Sequence, residues 1–317
     1  MSILKNPNEI SENISLSGLI YGQPGIGKST LALSAPTPVL IDADRGMRRV
    51  EKRFQVPCLP LTDYKDILDL FQSHELDPFE TVVFDTLGKL VDRMGEYLIK
   101  QNPKHGKSDG ALTMQGWGAL KIEFQKLLKM AQSKDKHLIF VAHEKEDKDG
   151  DTRIVRPDVS GSSGKDLVKD LDFMGYMEMR GNKRTISFTP TEKYYAKNAL
   201  RLDPVLNVPD TAEGNKFLQD AIIERTKERL KEDDIENKKY TDLVDGMKEI
   251  ISKVEDAKGA DMALDAINKS EIIWDSQRVA KSALNEKIKE IGLEYDKKTS
   301  KFIVKKEEKK EEKTEGK

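Results

Sequence analysis

The chain has 317 residues, with 54 Lys or Arg against 56 Asp or Glu and a formal net charge of −2. That balance gives no global attraction to a polyanion, so any nucleic-acid binding has to come from local basic segments. A single cysteine, Cys58, excludes an internal disulfide, and four histidines supply no zinc-ligand cluster.

No segment approaches the roughly 18 apolar residues of a membrane span, and the N-terminus has no apolar signal-peptide core. A reducing, cytoplasmic setting without a membrane partner is expected. Length allows one sizeable α/β domain plus a smaller appendage. A charged fraction of 35% beside 37% hydrophobic residues points to solvated helices or a disordered part.

Up to about residue 210, short apolar runs alternate with amphipathic stretches, as in a βα domain. Strands are expected over 14–22, 38–43, 81–86, 137–143, 172–180 and 184–190, and helices over 64–73, 88–101 and 114–132. The last helix carries Trp117, Leu120, Ile122, Phe124, Leu127, Leu128 and Met130. The fold class is therefore α/β with a mainly parallel central sheet, over residues 1–210.

A charged helical region follows over 211–300. There Leu243, Met247, Ile250 and Val254 mark one helical face, and Leu264, Ile267, Ile272, Trp274, Val279 and Leu284 are expected to close a small bundle on it. Residues 223–238 read as a solvated linking helix. The tail over 301–317 is expected to be disordered, because its last thirteen residues hold only Lys, Glu, Thr and Gly.

The first chemical signal is "LIYGQPGIGKSTLAL" (19–33), which contains G-x-x-x-x-G-K-S between a strand and a helix start. Gly22, Gly25 and Gly27 let the backbone curl with its N–H groups inward, in a loop completed by Gln23, Pro24, Ile26 and Thr30. Lys28 reaches the β/γ-phosphates of a nucleotide, and Ser29 is a ligand for Mg²⁺. The apolar strand "TVVFDT" ends on Asp85, the place for the acid that holds Mg²⁺ through water. Its successor is Thr86, not the Glu that many AAA+ ATPases use to activate water. Another strand end, "VLIDADRG", supplies that acid. Asp44 is the first choice and Asp42 the rival. A strand between the phosphate loop and the Asp85 strand in sequence also suggests the additional-strand ATPase class.

With these residues in view, the chain resembles the RecA/RadA recombinase core, and more closely the phage-encoded RecA-like ATPases of the single-strand-annealing (Sak-type) group. The resemblance covers roughly 14–205. It implies a RecA-like P-loop ATPase with ATP and Mg²⁺ as cofactors, single-stranded DNA as partner, and the cytoplasm of a bacterial host as location. In it Asp44 matches a catalytic acid that is normally Glu, and His143, ending "LIFVAH", matches the γ-phosphate sensor. The segment 102–118 falls at the family's first DNA loop, with Lys104, His105 and Lys107. The segment 144–167 falls at the second, with Lys145, Lys148, Arg153, Arg156 and Lys165. Lys197, in "YYAKNAL", matches a lysine that reaches a neighbouring subunit's ATP, with Lys193 a weaker option. That role implies a head-to-tail ring or filament.

The leading expectation is thus an ATPase, stimulated by single-stranded DNA, in phage recombination or strand annealing. An AAA+-like helicase loader or remodelling ATPase is the alternative. A further one is a nucleotide-gated adaptor whose charged C-terminal region recruits a partner such as a single-strand-binding protein.

Overall fold

A computed structural model describes residues 14–149, 152–159, 168–210 and 216–305. Its first compact unit runs to Glu228 and its second begins at Arg229.

The first unit is built on a ten-stranded sheet. In chain order its elements are β1 (Ser17–Gly22), α1 (Lys28–Ala32), β2 (Pro38–Asp42), β3 (Cys58–Pro60), α2 (Tyr64–Gln72), β4 (Thr81–Asp85), α3 (Leu87–Gln101) and α4 (Met114–Ser133). Then come β5 (His137–Asp149), β6 (Thr152–Pro157), β7 (Phe173–Arg180), β8 (Lys183–Ser187), β9 (Lys197–Asn198) and β10 (Val205–Val208). The spatial order is β10-β8-β7-β1-β5-β4-β2-β3, with β6 on β5 and β9 on β7. Neighbours from β7 through β3 run parallel, whereas β8, β10, β6 and β9 pair antiparallel. The expected α/β class with a mainly parallel sheet is the one observed.

Near-continuous apolar runs make the central strands, as befits strands covered on both faces. Leu19, Tyr21, Val82, Phe84, Leu138 and Phe140 face α2, α3 and α4 in one core. The Phe84 and Phe140 rings stack with centroids 5.1 Å apart, and Phe124 of α4 lies 5.4 Å from Phe140. Ile20, Leu40, Val83, Ile139 and Met177 face the other way, against Leu31 of α1 and the anchors Met47 and Val50. Helix starts follow local chemistry. The Asp63 carboxylate and Asp66 form a reciprocal cap on α2, and the Thr113 hydroxyl accepts from Gly116 at the start of α4.

Several expectations shift. β5 runs on to Asp149 and pairs antiparallel with β6, so the start of the 144–167 segment, expected as a DNA loop, is a hairpin. As expected, β2 lies between β1 and β4 in sequence; in space β5 lies between them and β2 flanks β4 on its far side. The first unit ends well after residue 210, because Leu218, Ile222 and Ile223 are buried in the core shared with Ile20 and Leu31. A π-helical turn, Gln219–Glu224, carries the last two of these side chains inward and leads into the next helix.

That helix is α5 (Arg225–Ser252), and α6 (Ala257–Lys269), α7 (Ser276–Glu290) and a hairpin of β11 (Leu293–Asp296) and β12 (Lys301–Val304) complete the chain's described part. The second unit has its own core of Met247, Ile251, Val254, Ala260, Ile267, Leu284, Leu293 and Phe302. On α5 the buried residues are Val244, Met247 and Ile251, Val254 is buried just past the helix end, and Ile250 is exposed. Ile273 turns inward while Ile272 and Trp274 stay in solvent. Residues 301–304, expected to be disordered, pair with β11 because Lys-flanked Phe302 is buried against α6 and α7. Residues 306–317 of the expected tail lie outside the described residues. Among the described residues, no helix is long and apolar enough to cross a membrane.

Two outcomes are expected. A chain ending at Glu228 should unfold cooperatively. One ending at residue 210 should lose several kcal/mol in urea titration, at about 1.5–3 kcal/mol for each of Leu218, Ile222 and Ile223. His137 is buried, its Nδ1 accepts from the Leu16 N–H at 3.0 Å, and burial and then nearby Lys227 hold its pKa down to about 4. The unfolded chain therefore takes up a proton that the fold excludes. Stability should be full above about pH 6.5 and decline as pH falls towards 4, and His137→Gln should flatten that dependence.

Candidate nucleotide site

The loop after β1 closes over the strand's end as its residues require. Gly22 has φ 155°, and a Cβ there would sit 2.2 Å from the Met177 carbonyl oxygen on β7. Gly27 caps α1 with φ 98°, a left-handed position that favours glycine. Lys28 is buried, and its ammonium donates to the carbonyls of Gly22 at 2.9 Å and Gln23 at 2.6 Å, so the lysine lies back along the loop. Burial lowers its pKa, against the pull of Asp85 and Glu144. Gln23, Pro24 and Gly25 are exposed at the loop's crest.

Ser29 Oγ donates to Asp85 Oδ2 at 2.5 Å, joining the loop to the end of β4 across the intervening strand β5. Burial pushes the Asp85 pKa up, the Ser29 hydrogen bond pulls it down, and nearby Asp42 and Asp44 add to the rise. A hydroxyl and a carboxylate side by side are hard oxygen donors, and a divalent cation would offset the burial that disfavours the bare carboxylate. Ser29 and Asp85 therefore fit Mg²⁺. No group of three or more His, Cys, Asp or Glu converges on one point among the described residues. The remaining ligands would be phosphate and water oxygens, as is usual for Mg²⁺.

The two rival acids separate cleanly. Asp42 is buried opposite Asp85 in the register, and its oxygens accept from the backbone N–H groups of Gly46 at 2.7 Å and Met47 at 3.0 Å. It shapes the turn. Asp44 is half-buried just beyond, with Oδ2 accepting from Arg49 Nη2 at 2.8 Å, an exposed and replaceable partner. His143 stands opposite Gly22 on β5 and is exposed.

One acid of this edge escaped the sequence reading. Glu144, the residue after His143, has Oε2 buried without a hydrogen-bond partner, and its charge adds to the rise that burial causes in the Tyr176 pKa. Its charge also acts on Lys28 and Tyr21. A second acidic residue at a strand end beside the phosphate loop was the available signal.

The remaining expected residues divide. Lys104 and Lys107 are exposed on a short ordered turn, closed by the Gly106–Leu112 bridge, and 114–118 already belongs to α4. Arg153 is exposed beside Glu146 at 3.6 Å. Arg156 does not face solvent. It is buried, paired with Asp147 at 2.9 Å, and lies 4.8 Å over the Tyr195 ring, so it braces the hairpin and cannot serve a phosphate. Lys165 lies outside the described residues. Lys197 is tied to its own chain, its ammonium donating to the carbonyls of Lys169 at 2.6 Å and Leu171 at 2.5 Å. Next to it, Asn198 bonds both ways with the Leu202 backbone at 2.7 Å. That segment therefore pins the chain entering β7.

A model described as an AAA domain, AAA_24, matches residues 14–200. The chain belongs to this AAA domain family. The matched region holds the whole constellation from Gly22 to Lys197. No curated protein matches the sequence. Among solved structures, the crystal structure of the RadB recombinase is similar at 16% identity over 54% of this chain and 79% of that one. Its TM-score is 0.33, a likeness too remote to argue from. The AAA domain core described here is a P-loop nucleotide-binding core by its loop, its Ser29–Asp85 link and its strand order.

The acids should behave differently. Asp42→Ala removes two charge-assisted hydrogen bonds and should lower stability by about 2–4 kcal/mol in urea titration, whereas Asp44→Asn should leave the midpoint nearly unchanged.

Proposed function

We propose that this AAA domain protein binds ATP with Mg²⁺ and hydrolyses it while acting on single-stranded DNA, in recombination or strand annealing. The observation that carries the nucleotide half is the convergence at one sheet edge of Lys28, Ser29 bonded to Asp85, and Asp44. Lys28 would exchange its two carbonyl partners for phosphate oxygens, and Mg²⁺, once bound, would draw charge from the phosphates. The nucleoside would extend past Thr30 towards the hollow bordered by Leu31, Arg184 and Phe217.

Asp44 is the acid with freedom to orient water, since Asp42 is committed to backbone N–H groups. A side chain one methylene shorter than Glu reaches less far, which favours slow turnover until the site is closed by a partner. His143, which pairs with Gly22 in the register, would contact the γ-phosphate. Lys197 would assist a neighbour in a ring or filament only by giving up its bonds to Lys169 and Leu171. The exposed Lys104, Lys107 and Arg153 would meet DNA phosphates, with affinity that is salt-dependent and largely sequence-independent.

A second reading is a remodelling or helicase-loading ATPase, favoured by the family's AAA description. Against it stands Thr86, where such enzymes place a Glu after the metal-side acid.

Wild-type protein should hydrolyse ATP, faster with single-stranded DNA. Lys28→Ala should lose nucleotide binding by about tenfold or more, and Asp44→Asn should keep binding while turnover falls about a hundredfold. Calorimetric titration and phosphate release measure these. No hydrolysis under any condition would reassign the protein as a nucleotide-gated adaptor. DNA-independent turnover surviving in Asp44→Asn would move the base elsewhere, with Glu144 next to test.

A further inference from the structure

Just past Asp44 the chain places Arg45, Arg48, Arg49, Lys52 and Arg53 within nine residues, in a protein whose net charge is −2. Glu51 is the only acid among them. Two 3-10 turns, Met47–Arg49 and Lys52–Phe54, form this segment. Met47 and Val50 are buried in the core, and all five cationic residues are exposed.

The turns are held firmly. The Asp42 carboxylate accepts from Gly46 and Met47, and Gln55 Nε2 donates to the carbonyls of Met47 at 3.2 Å and Val50 at 3.0 Å. Arg49 is paired with Asp44 and Arg53 with Glu51, the latter also lying 4.6 Å over the Phe54 ring. Arg45, Arg48 and Lys52 make no ion pair among the described residues. They recur at intervals of three and four positions along a segment whose backbone is fixed.

We propose that this ridge binds the phosphate backbone of a single-stranded nucleic acid, directly beside the nucleotide site. It deepens the DNA-binding reading above and rests on it, but places the contact on residues outside both expected DNA loops. A row of outward cations suits an anion that repeats. A lone phosphate, such as the γ-phosphate of a second copy's nucleotide, calls for convergent donors instead. An anionic membrane is a poorer fit, because Met47 and Val50 point into the core and leave no apolar face to insert. Phe54 is half-buried under Arg53, so the ridge offers charge and little base stacking, and binding there is insensitive to sequence. The ridge also compensates for Arg156, which the hairpin consumes. Arg49, bridging ridge and Asp44, sits where a bound phosphate would compete for its guanidinium.

The test is fluorescence anisotropy of a labelled oligothymidine with the full chain over a salt series. The Arg45→Ala/Arg48→Ala/Lys52→Ala variant should bind about tenfold or more weakly at low salt. Its log–log salt slope should shrink by about 2, the value for three lost contacts to a single strand. The charge-keeping Arg45→Lys/Arg48→Lys variant should stay within a few-fold of wild type. Cross-linking of a bromouracil oligonucleotide to wild-type protein should map to residues 45–55, and this arm is independent of variant folding.

Unchanged affinity and slope in the triple variant overturn the ridge, as do cross-links found only elsewhere. An equal loss in the lysine variant also overturns it, since charge would not be the determinant. Wild-type protein that hydrolyses ATP yet binds no oligothymidine overturns ridge and DNA reading together and leaves the ATPase standing.

Discussion

Parallel pairing of β7, β1, β5, β4 and β2 brings their carboxyl ends to one edge of the sheet, and the candidate site depends on that alignment. The register sets Gly22 beside His143 and Asp42 beside Asp85. Because β5 lies between the loop strand and the Asp85 strand, Ser29 must reach across its end, and the 2.5 Å contact to Asp85 closes that gap. Crossover helices on both faces make the strands apolar throughout, so polar function is confined to their ends.

Within that edge, burial works on both signs of charge. It lowers the pKa of Lys28 and raises that of Asp85, each group being driven towards its neutral form. Nucleotide phosphates would supply the negative charge that Lys28 lacks, and Mg²⁺ the positive charge that Asp85 and its neighbours lack. The acids share the work by geometry. Asp42 spends both oxygens on the turn that follows β2, which leaves Asp44 the more available carboxylate and presents the basic ridge outward from Met47 and Val50.

The β5–β6 hairpin rises from the same edge and is braced at its base. The Val155 N–H donates to the Lys193 carbonyl and the Tyr195 N–H to the Val155 carbonyl, and the Tyr21 hydroxyl donates to the Tyr195 carbonyl at 2.5 Å. Tyr176 stacks on Tyr194 with centroids 4.6 Å apart. Glu144 stands in the hairpin's first rung, opposite Pro157, and its charge acts on Lys28.

Local chemistry alone specified much of this protein. Three glycines before Lys28–Ser29 read as a phosphate loop because a curled backbone tolerates no side chains there, and Asp85 read as a strand-end acid because apolar runs mark buried parallel strands. The bounds of α2, α3 and α4 followed from their apolar periodicity. What needed the tertiary structure was every choice between chemically equivalent residues. Asp42 and Asp44 are the same acid two positions apart, and only the folded turn shows which is consumed. Arg156 and Lys197 looked like solvent-facing cations until Asp147, Tyr195 and two carbonyls were found around them. On α5, Ile251 is buried and Ile250 exposed, while Leu243 packs at the margin of the core. Composition and spacing reveal which groups exist, but long-range packing decides which of them already have partners, and a side chain without one is what remains for function.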